Sequence, residues 1–102
     1  MSAARNPKLV YTAAQVDRML AQQRREEITF LVQLSRNARS DAKIARRSRI
    51  EGVRIKACAH AFVALKFAQA ACSVAMRSGT EASRKEARDV RDLAKKLLEE
   101  LT

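Results

Sequence analysis

Residues 57–76 form the most apolar stretch of the chain, ACAHAFVALKFAQAACSVAM. Arranged as a helix, this stretch has large apolar side chains on two sides. They are Phe62, Leu65 and Met76 on one side and Val63, Phe67 and Val74 on the other. A helix that is apolar almost all round is stable only when other protein surrounds it. The stretch therefore predicts a buried helix in an all-α protein.

The composition of the whole chain favours helices over strands and turns. Only two of the 102 residues are glycine and one is proline, and Ala, Leu, Arg, Lys, Glu and Gln predominate. These types have high helix propensity, whereas glycine and proline interrupt helices. A chain of this length suits one domain, so we expect a single helical domain over residues 1–102.

Three helices are predicted, at about 13–36, 41–77 and 81–101, after an extended arm at 1–11. Thr12 and Gln15 have the spacing of a capping box, which marks a helix start. Gly79 followed by Thr80 has the order of a helix end and a new N-cap. Short connections of this kind favour a three-helix, largely antiparallel bundle with a long central helix.

The boundary between the first two helices depends on residues 37–41. Asn37, Ser40 and Asp41 are residue types that end helices and cap new ones. Neither glycine nor proline occurs there, so a helix that continues through this region is the alternative. Of the two, we expect the break.

Self-association is expected from the same apolar stretch. Two flanking helices from so short a chain do not provide enough surface to cover residues 57–76, and the many alanines allow another helix to approach closely. We therefore predict a homodimer or a higher homo-oligomer. The predicted oligomer interface consists of Phe62, Leu65, Phe67, Val74 and Leu97.

Positive charge is concentrated in the middle of the chain. The net charge is +10, and residues 36–56 hold eight bases against two acids, which makes six of the ten net charges. The eight bases are Arg36, Arg39, Lys43, Arg46, Arg47, Arg49, Arg54 and Lys56. On a continuous helix, most of them fall within about 100° of one face. We take these eight residues as the candidate binding site.

A basic helix face of this kind can lie along a phosphate backbone. Arginine forms bidentate hydrogen bonds with phosphate, and counterion release supplies much of the affinity. The phenylalanines lie within apolar stripes, so stacking on single-stranded bases is not expected. The sequence therefore predicts binding of DNA or RNA, mainly through phosphate contacts and with weak or no sequence specificity. The simplest alternative is a solvated helix face.

Residues 44–55 weakly resemble a helix-turn-helix motif. The small residue of its first helix and two core positions would be Ala45, Ile50 and Ile55. Arg49 stands where the turn glycine is usual, which departs from the motif. If the motif formed, Arg54 and Lys56 would point toward a major groove. In an uninterrupted helix Gly52 would cost about 1 kcal/mol relative to alanine, which predicts a hinge or a close helix contact.

The second predicted function belongs to another class of protein. A small adaptor or inhibitor, of the kind that a phage or other mobile element makes, would dock its basic face on an acidic or nucleic-acid-binding partner protein. Such docking requires apolar anchors beside the charges, so exposure of Ile50 or Val53 would favour it. A basic helix lying on a membrane surface is ranked last, because the chain has no Trp.

Catalytic and metal chemistry are not expected. The sequence has no Gly-rich phosphate loop, no metal-binding helix motif and a single histidine, His60. The third helix carries six acids and six bases from Thr80 onward, a balance that is typical of a solvated face. We therefore predict a protein that is not an enzyme and that needs no cofactor or metal.

The predicted location is the cytoplasm, a reducing intracellular compartment. Residues 1–10 lack an apolar signal core, so export by that route is not expected. Cys58 and Cys72 are too far apart on one helix to form a disulfide within it and are expected to be reduced. Lys66 lies in the middle of the apolar stretch and would be costly in lipid, so no membrane association is predicted.

Overall fold

The computed structural model describes residues 11–102 and contains three helices. They are α1 (Ala13–Arg47), α2 (Glu51–Ser78) and α3 (Glu81–Leu101). The described residues are 91% helical and include no strand. The prediction of an all-α protein with three bundled helices is confirmed. Of the predicted extended arm, residues 1–10 lie outside the described residues.

The predicted starts of α1 and α3 are confirmed by their hydrogen bonds. The Gln15 N–H donates to Thr12 Oγ1 at 3.1 Å, and the Thr12 N–H donates to Gln15 Oε1 at 2.8 Å, which completes the capping box. At α3, the Ser83 N–H donates to Thr80 Oγ1 at 3.2 Å. Each threonine hydroxyl satisfies an amide that has no partner inside its own helix.

The predicted break at residues 37–40 is wrong, because α1 continues through it to Arg47. The Asn37 side chain does not cap a helix there; its Oδ1 accepts a hydrogen bond from Gln33 Nε2 at 2.9 Å along the helix surface. Ala38 and Ala42 are buried in clusters with residues of α2 and α3. Packing of this face outweighs the weak local preference for a helix end.

The chain turns instead at residues 48–50. The Ser48 hydroxyl accepts a hydrogen bond from the Ile50 N–H at 3.0 Å, and both residues have extended backbone. A serine side chain that bonds to nearby backbone offers the chain an alternative to the helix. Because the turn comes later than predicted, the longest helix is α1 with 35 residues, and the expected long central helix has only 28.

The core is built almost entirely from alanine. Of the fifteen buried apolar residues in the described part of the chain, eleven are alanine, and the other four are Ile28, Val32, Val90 and Leu97. Small side chains let helix axes approach to the lower end of the usual range of about 8–10 Å. Ser35, the buried polar residue of the described chain, donates from Oγ to the Ala64 carbonyl oxygen at 2.7 Å. Close backbone approach, rather than large interlocking side chains, holds the helices together.

Three clusters of buried residues follow one another along the bundle, and each contains residues from all three helices. They are Ile28, Val32, Ala68, Ala71, Ala75, Ala87 and Val90, then Ala38, Ala64 and Ala94, then Ala42, Ala61 and Leu97. The radius of gyration is 19.2 Å, against about 13 Å for a compact domain of this length. The bundle is therefore long and thin, and it leaves much of each helix on the surface.

The N-terminal part of α1 lies outside this core. Residues 11–27 are exposed apart from the half-buried Ala21, and the first buried residue of α1 is Ile28. The exposed side chains include Val16, Met19 and Leu20. Among the described residues, this part of α1 therefore gains little stability from tertiary packing, and its capping box supplies local stability instead.

α2 is the one helix of the described residues that is long and apolar enough to cross a membrane by length and composition. Its most apolar stretch has a mean hydropathy of 1.3, and 28% of that stretch is buried in the bundle. The core helix of a soluble protein meets the same two criteria, so this finding is weak support for a span. All six buried residues of α2 are alanines of the shared core.

The two glycines have opposite surroundings, and their substitution tests the turns. No heavy atom lies within 4 Å of a Cβ added at Gly52, so of the two alternatives for this residue, a hinge and a close helix contact, the contact is absent. A Cβ at Gly79 would lie 2.5 Å from Ser83 Oγ and 2.7 Å from the Ala75 carbonyl oxygen.

We expect Gly52→Ala to raise the free energy of unfolding by about 0.5–1 kcal/mol. Gly79→Ala should lower it by about 1–3 kcal/mol.

Urea denaturation of the two variants measures both effects. The two proteins are matched controls for each other, because the substitution is the same and each site adjoins a turn between helices. A Gly79→Ala protein as stable as the wild type would contradict the close approach of α2 and α3 at this turn.

Candidate functional site

The eight predicted basic residues do not lie on one helix. Because the chain turns at residues 48–50, the last three are Arg49 in the turn and Arg54 and Lys56 in the first turns of α2. The prediction of one continuous basic face is therefore wrong. The five bases that remain on α1 are Arg36, Arg39, Lys43, Arg46 and Arg47.

Three of the α1 bases line a cleft between α1 and α3, which we call the basic cleft. Its volume is about 240 Å³. Its lining residues are Arg39, Lys43 and Arg46 from α1 and Leu93, Lys96, Leu97 and Glu100 from α3. The α1 bases are four and three residues apart, which places them along one side of the helix. Four bases and one acid give the cleft a net charge of +3.

Lys96 belongs to this cleft although it was not among the predicted site residues. The even balance of charge along α3 concealed it, because only packing of α3 beside α1 brings it near Arg39, Lys43 and Arg46. A signal was present in the adjacent pair Lys95 and Lys96. Neighbouring side chains on a helix point about 100° apart, so the two lysines face different surroundings.

Two ion pairs join α1 to α3. Arg36 Nη2 lies 3.2 Å from Glu86 Oε2, and Arg46 Nη1 lies 3.3 Å from Glu100 Oε1. All four side chains are between 40% and 47% exposed. Pairs this exposed contribute about 0–1 kcal/mol each to stability. Their main consequence is that Arg36 and Arg46 already have an anionic partner.

The other three bases of the basic cleft make no ion pair with any described residue. These are Arg39, Lys43 and Lys96. Lys43 and Lys96 are exposed, and Arg39 is half-buried. A phosphate group placed between them would gain charge-assisted hydrogen bonds without breaking an existing ion pair.

A second basic surface surrounds the α1–α2 turn, and we call residues 44–56, without Arg46 of the basic cleft, the turn segment. Four of its bases are exposed and form no ion pair with a described residue: Arg47, Arg49, Arg54 and Lys56. Its aliphatic side chains are exposed as well: Ile44 by 68%, Ile50 by 67%, Val53 by 37% and Ile55 by 70%. Exposed apolar side chains grouped beside charges are typical of interaction sites.

The helix-turn-helix resemblance of residues 44–55 does not hold in the structure. Two helices and a turn are present, but Ile50 and Ile55, the expected core residues, are exposed. The buried residues beside the turn are Ala45 and Ala57. The segment therefore lacks the small core that positions a recognition helix.

The five predicted interface residues differ in their exposure. Leu97 is only 4% exposed and packs with Ala42 and Ala61, so it belongs to the core of its own chain and was wrongly assigned to an oligomer interface. Leu65 and Val74 are half-buried against core clusters, and Phe67 is half-buried. Phe62 alone is half exposed, at 50%.

Phe62 borders an apolar groove between α2 and α3. The groove has a volume of about 580 Å³ and is lined by Cys58, Ala59, Phe62, Leu65, Lys95, Leu98, Glu99 and Thr102. Lys66 Nζ lies 5.2 Å from the centroid of the Phe62 ring, a cation–π contact that covers part of the ring. The remaining apolar surface of the groove is open to solvent.

The α2 side of α3 carries a third group of bases, which we call the α3 basic stripe. Its members are Arg84, Arg88, Arg91 and Lys95, spaced four, three and four residues apart. The three arginines line a small cavity of about 50 Å³ together with Cys72, Ala75 and Met76 of α2. This spacing places all four bases along one side of the helix.

Neither cysteine shows features of a reactive site. Cys58 and Cys72 are free and half-buried. Burial raises the pKa of the Cys72 thiol, although the charges of Arg91 and Arg88 oppose the shift and Asp92 adds to it. A thiol with a raised pKa is protonated at neutral pH and is a weak nucleophile. Within residues 11–102, no group of three or more His, Cys, Asp or Glu side chains is placed to hold a metal ion.

The basic cleft is the candidate functional site, because it unites bases from two helices around space that a ligand can enter. The turn segment and the α3 basic stripe are separate surfaces. Comparisons of the chain with protein-family models, curated proteins and solved structures found no match.

Proposed function

We propose that this protein binds nucleic acid mainly through phosphate contacts in the basic cleft, with weak or no sequence specificity. The observation that carries this proposal is the meeting of Arg39, Lys43 and Arg46 with Lys96 from another helix. Phosphates are the ligands that such bases hold best, and released counterions add to the affinity. Arg36 lies on the same helix and extends the basic surface.

The cleft suits a duplex backbone better than single-stranded bases. No aromatic side chain lines it, and Leu93 and Leu97 are its only apolar residues. Binding of single strands usually depends on aromatic stacking platforms. The proposal therefore favours duplex DNA or structured RNA, with the phosphates as the groups recognised.

We also propose that the helices are largely antiparallel and that two chains associate as a homodimer. In a largely antiparallel bundle, α1 and α2 run in opposite directions, which is supported by the pairing of Ser35 with Ala64 and of Ala42 with Ala61. A homodimer would use the half-exposed Phe62 and the apolar groove beside it. Burying that groove would remove apolar surface from water, which is the usual driving force for association.

A second candidate function is docking on an acidic or nucleic-acid-binding protein, as an adaptor or inhibitor. The exposure of Ile50 and Val53 beside Arg49 and Arg54 favours it, because protein interfaces combine apolar anchors with surrounding charge. This candidate uses the turn segment rather than the basic cleft. The two functions therefore depend on different residues and can be separated by substitution.

Neither candidate function involves catalysis, a cofactor or a membrane. The proposed location is the cytoplasm, where Cys58 and Cys72 would stay reduced. We propose that α2 serves as a core helix of the bundle, because its alanine face is shared with α1 and α3 and Lys66 interrupts its outer face.

Fluorescence anisotropy of labelled duplex DNA, single-stranded DNA and duplex RNA tests the leading function. We expect micromolar or tighter duplex binding at low salt. Phosphate contacts from the three unpaired bases predict that the logarithm of the binding constant falls with the logarithm of salt concentration with a slope of about −3 between about 50 and 200 mM. Absence of binding at the lowest salt would overturn the proposal.

The second candidate is separated by a variant of the turn segment. Ile50→Ser with Val53→Ser keeps every base and removes two exposed anchors. Nucleic-acid binding through the basic cleft should be unchanged in this variant. Loss of a specific protein partner from nuclease-treated lysate, compared with the wild type, would favour the docking function.

A further inference from the structure

We infer that the α3 basic stripe is a second nucleic-acid surface, so that one chain can bridge two duplex segments. This inference rests on the proposed function of the basic cleft and adds a second, separate site to it. The stripe faces the α2 side of α3, and the cleft faces the α1 side. A protein with phosphate-binding surfaces on two sides can hold two backbones at once.

The stripe has the length and charge that a phosphate backbone requires. Arg84 and Lys95 are eleven residues apart, which is about 16 Å along a helix. Along the duplex axis each strand carries one phosphate per about 3.4 Å, so the stripe is long enough to meet more than one phosphate of a strand. Three of its four bases are arginines, which can form bidentate hydrogen bonds with phosphate oxygens.

Two of the four bases are free of intramolecular partners among the described residues. Arg88 and Lys95 are exposed and make no ion pair or side-chain hydrogen bond there. Arg84 Nε donates to the Ala75 carbonyl oxygen at 3.1 Å, which fixes the guanidinium beside α2. Arg91 Nη2 lies 3.3 Å from Asp92 Oδ1. Arg84 Nη1 also lies 3.9 Å from Glu81 Oε2. Two bases of the stripe therefore have partners, and two are available.

Acidic residues separate the stripe from the basic cleft. At about 100° per residue, Asp92 and Glu99 fall between Lys95 and Lys96 around α3. Both acids are exposed. A phosphate backbone that crossed from one basic surface to the other would pass over these carboxylates, and like charges repel it. Two separate backbones avoid that crossing, which favours bridging over a single continuous contact.

A bead assay with two duplexes tests the inference. One duplex carries biotin and is fixed to beads, and an unrelated duplex carries a fluorophore and no biotin. Wild-type protein should retain the fluorescent duplex on the beads. Arg88→Glu with Lys95→Glu should reduce that retention by about tenfold or more, whereas its affinity for a single duplex in anisotropy should change by less than about threefold at moderate salt.

The matched control is Arg18→Glu with Arg24→Glu, which changes the net charge equally at exposed positions outside both basic surfaces. It should bridge like the wild type. Circular dichroism checks that each variant is folded, and Arg88→Gln with Lys95→Gln replaces the glutamate variant if that one unfolds. Every protein in the assay also carries Phe62→Ser, and light scattering confirms that it is a monomer. This is needed because a homodimer formed at the Phe62 groove, which Lys95 also lines, would bridge two duplexes with one basic cleft in each chain.

Each other outcome would overturn the inference in a distinguishable way. If the monomeric stripe variant still bridges, the second phosphate-binding surface is not the stripe. If it loses single-duplex binding as well, the stripe and the cleft form one site. If the wild type binds a duplex but does not bridge, the proposed function stands without a second surface. If it binds no duplex, the proposed function fails and the inference fails with it.

Discussion

Arg39→Glu with Lys43→Glu is expected to weaken duplex binding by about 100-fold at low salt. Both residues line the basic cleft and neither makes an ion pair with a described residue. Each substitution removes one phosphate contact and adds a carboxylate that repels the backbone. The salt slope should also become shallower by about two units, because two fewer counterions are released.

The control for this variant is the same Arg18→Glu with Arg24→Glu protein. Its net charge equals that of the cleft variant, so a general effect of charge would weaken both proteins equally. At about 0.1 M salt, charges more than about 10 Å apart are largely screened, and the control should lose less than about threefold in affinity. Equal losses in the two variants would show that the basic cleft is not the binding site.

A Lys96→Glu variant extends this test to the base that the sequence did not reveal. Lys96 approaches the α1 bases only because α3 packs beside α1. Its substitution should therefore weaken binding by the same mechanism as that of Lys43, although the two residues lie on different helices. This comparison separates a site formed by the fold from a basic face on one helix.

Local sequence signals were sufficient for the outline of the fold. The capping box at Thr12 and the order of Gly79 and Thr80 depend on neighbouring residues only, and both boundaries are present in the structure. The turn at residues 48–50 was missed because the local hydrogen bond at Ser48 is only part of its cause. Ala42 and Ala45 extend the buried face of α1 beyond the predicted break, and that benefit arises only when α2 is in place.

The core differs from the sequence prediction because small side chains, not large ones, form the inner face of α2. In α2 the buried residues are Ala57, Ala61, Ala64, Ala68, Ala71 and Ala75, spaced four, three, four, three and four apart. This alternation is the spacing of a helix-packing face, and it was present in the sequence. Phe62 and Met76 were expected to be surrounded, yet they remain exposed. Size alone therefore did not identify the inner face.

The site was less predictable than the fold. The bases were recognised by charge, but their grouping depends on where the chain turns and on which side α3 packs. Because of the turn, Arg54 and Lys56 lie on α2, apart from the α1 bases. Lys96 lies beside the α1 bases because α3 packs against α1. The spacing of residues predicts which side chains share a face of one helix, but it does not predict which helix packs against that face.

Ala64→Leu is expected to be the most destabilising single substitution considered, lowering the free energy of unfolding by about 3 kcal/mol. Ala64 is fully buried and clusters with Ala38 of α1 and Ala94 of α3. A leucine side chain has no space between three closely spaced helices, so the helices must separate. Their separation would also strain the hydrogen bond from Ser35 Oγ to the Ala64 carbonyl oxygen.

Ala70→Leu is the matched control, because the same substitution falls on the exposed side of the same helix. Its effect should lie within about 0.5 kcal/mol of zero. Urea denaturation measures both variants, and Ala64→Val supplies a smaller overpacking step if the leucine protein does not fold. A loss of about 3 kcal/mol is a large part of the stability of a domain this size.

The pair of variants decides which face of α2 points inward. If the alanine face packs against α1 and α3, Ala64→Leu is costly and Ala70→Leu is tolerated. If the larger residues were inside, as the sequence first indicated, Ala64 would lie on a looser surface and its enlargement would be harmless. A stable Ala64→Leu protein would therefore also remove the geometry of the basic cleft, because the position of α3 beside α1 depends on the same alanine contacts.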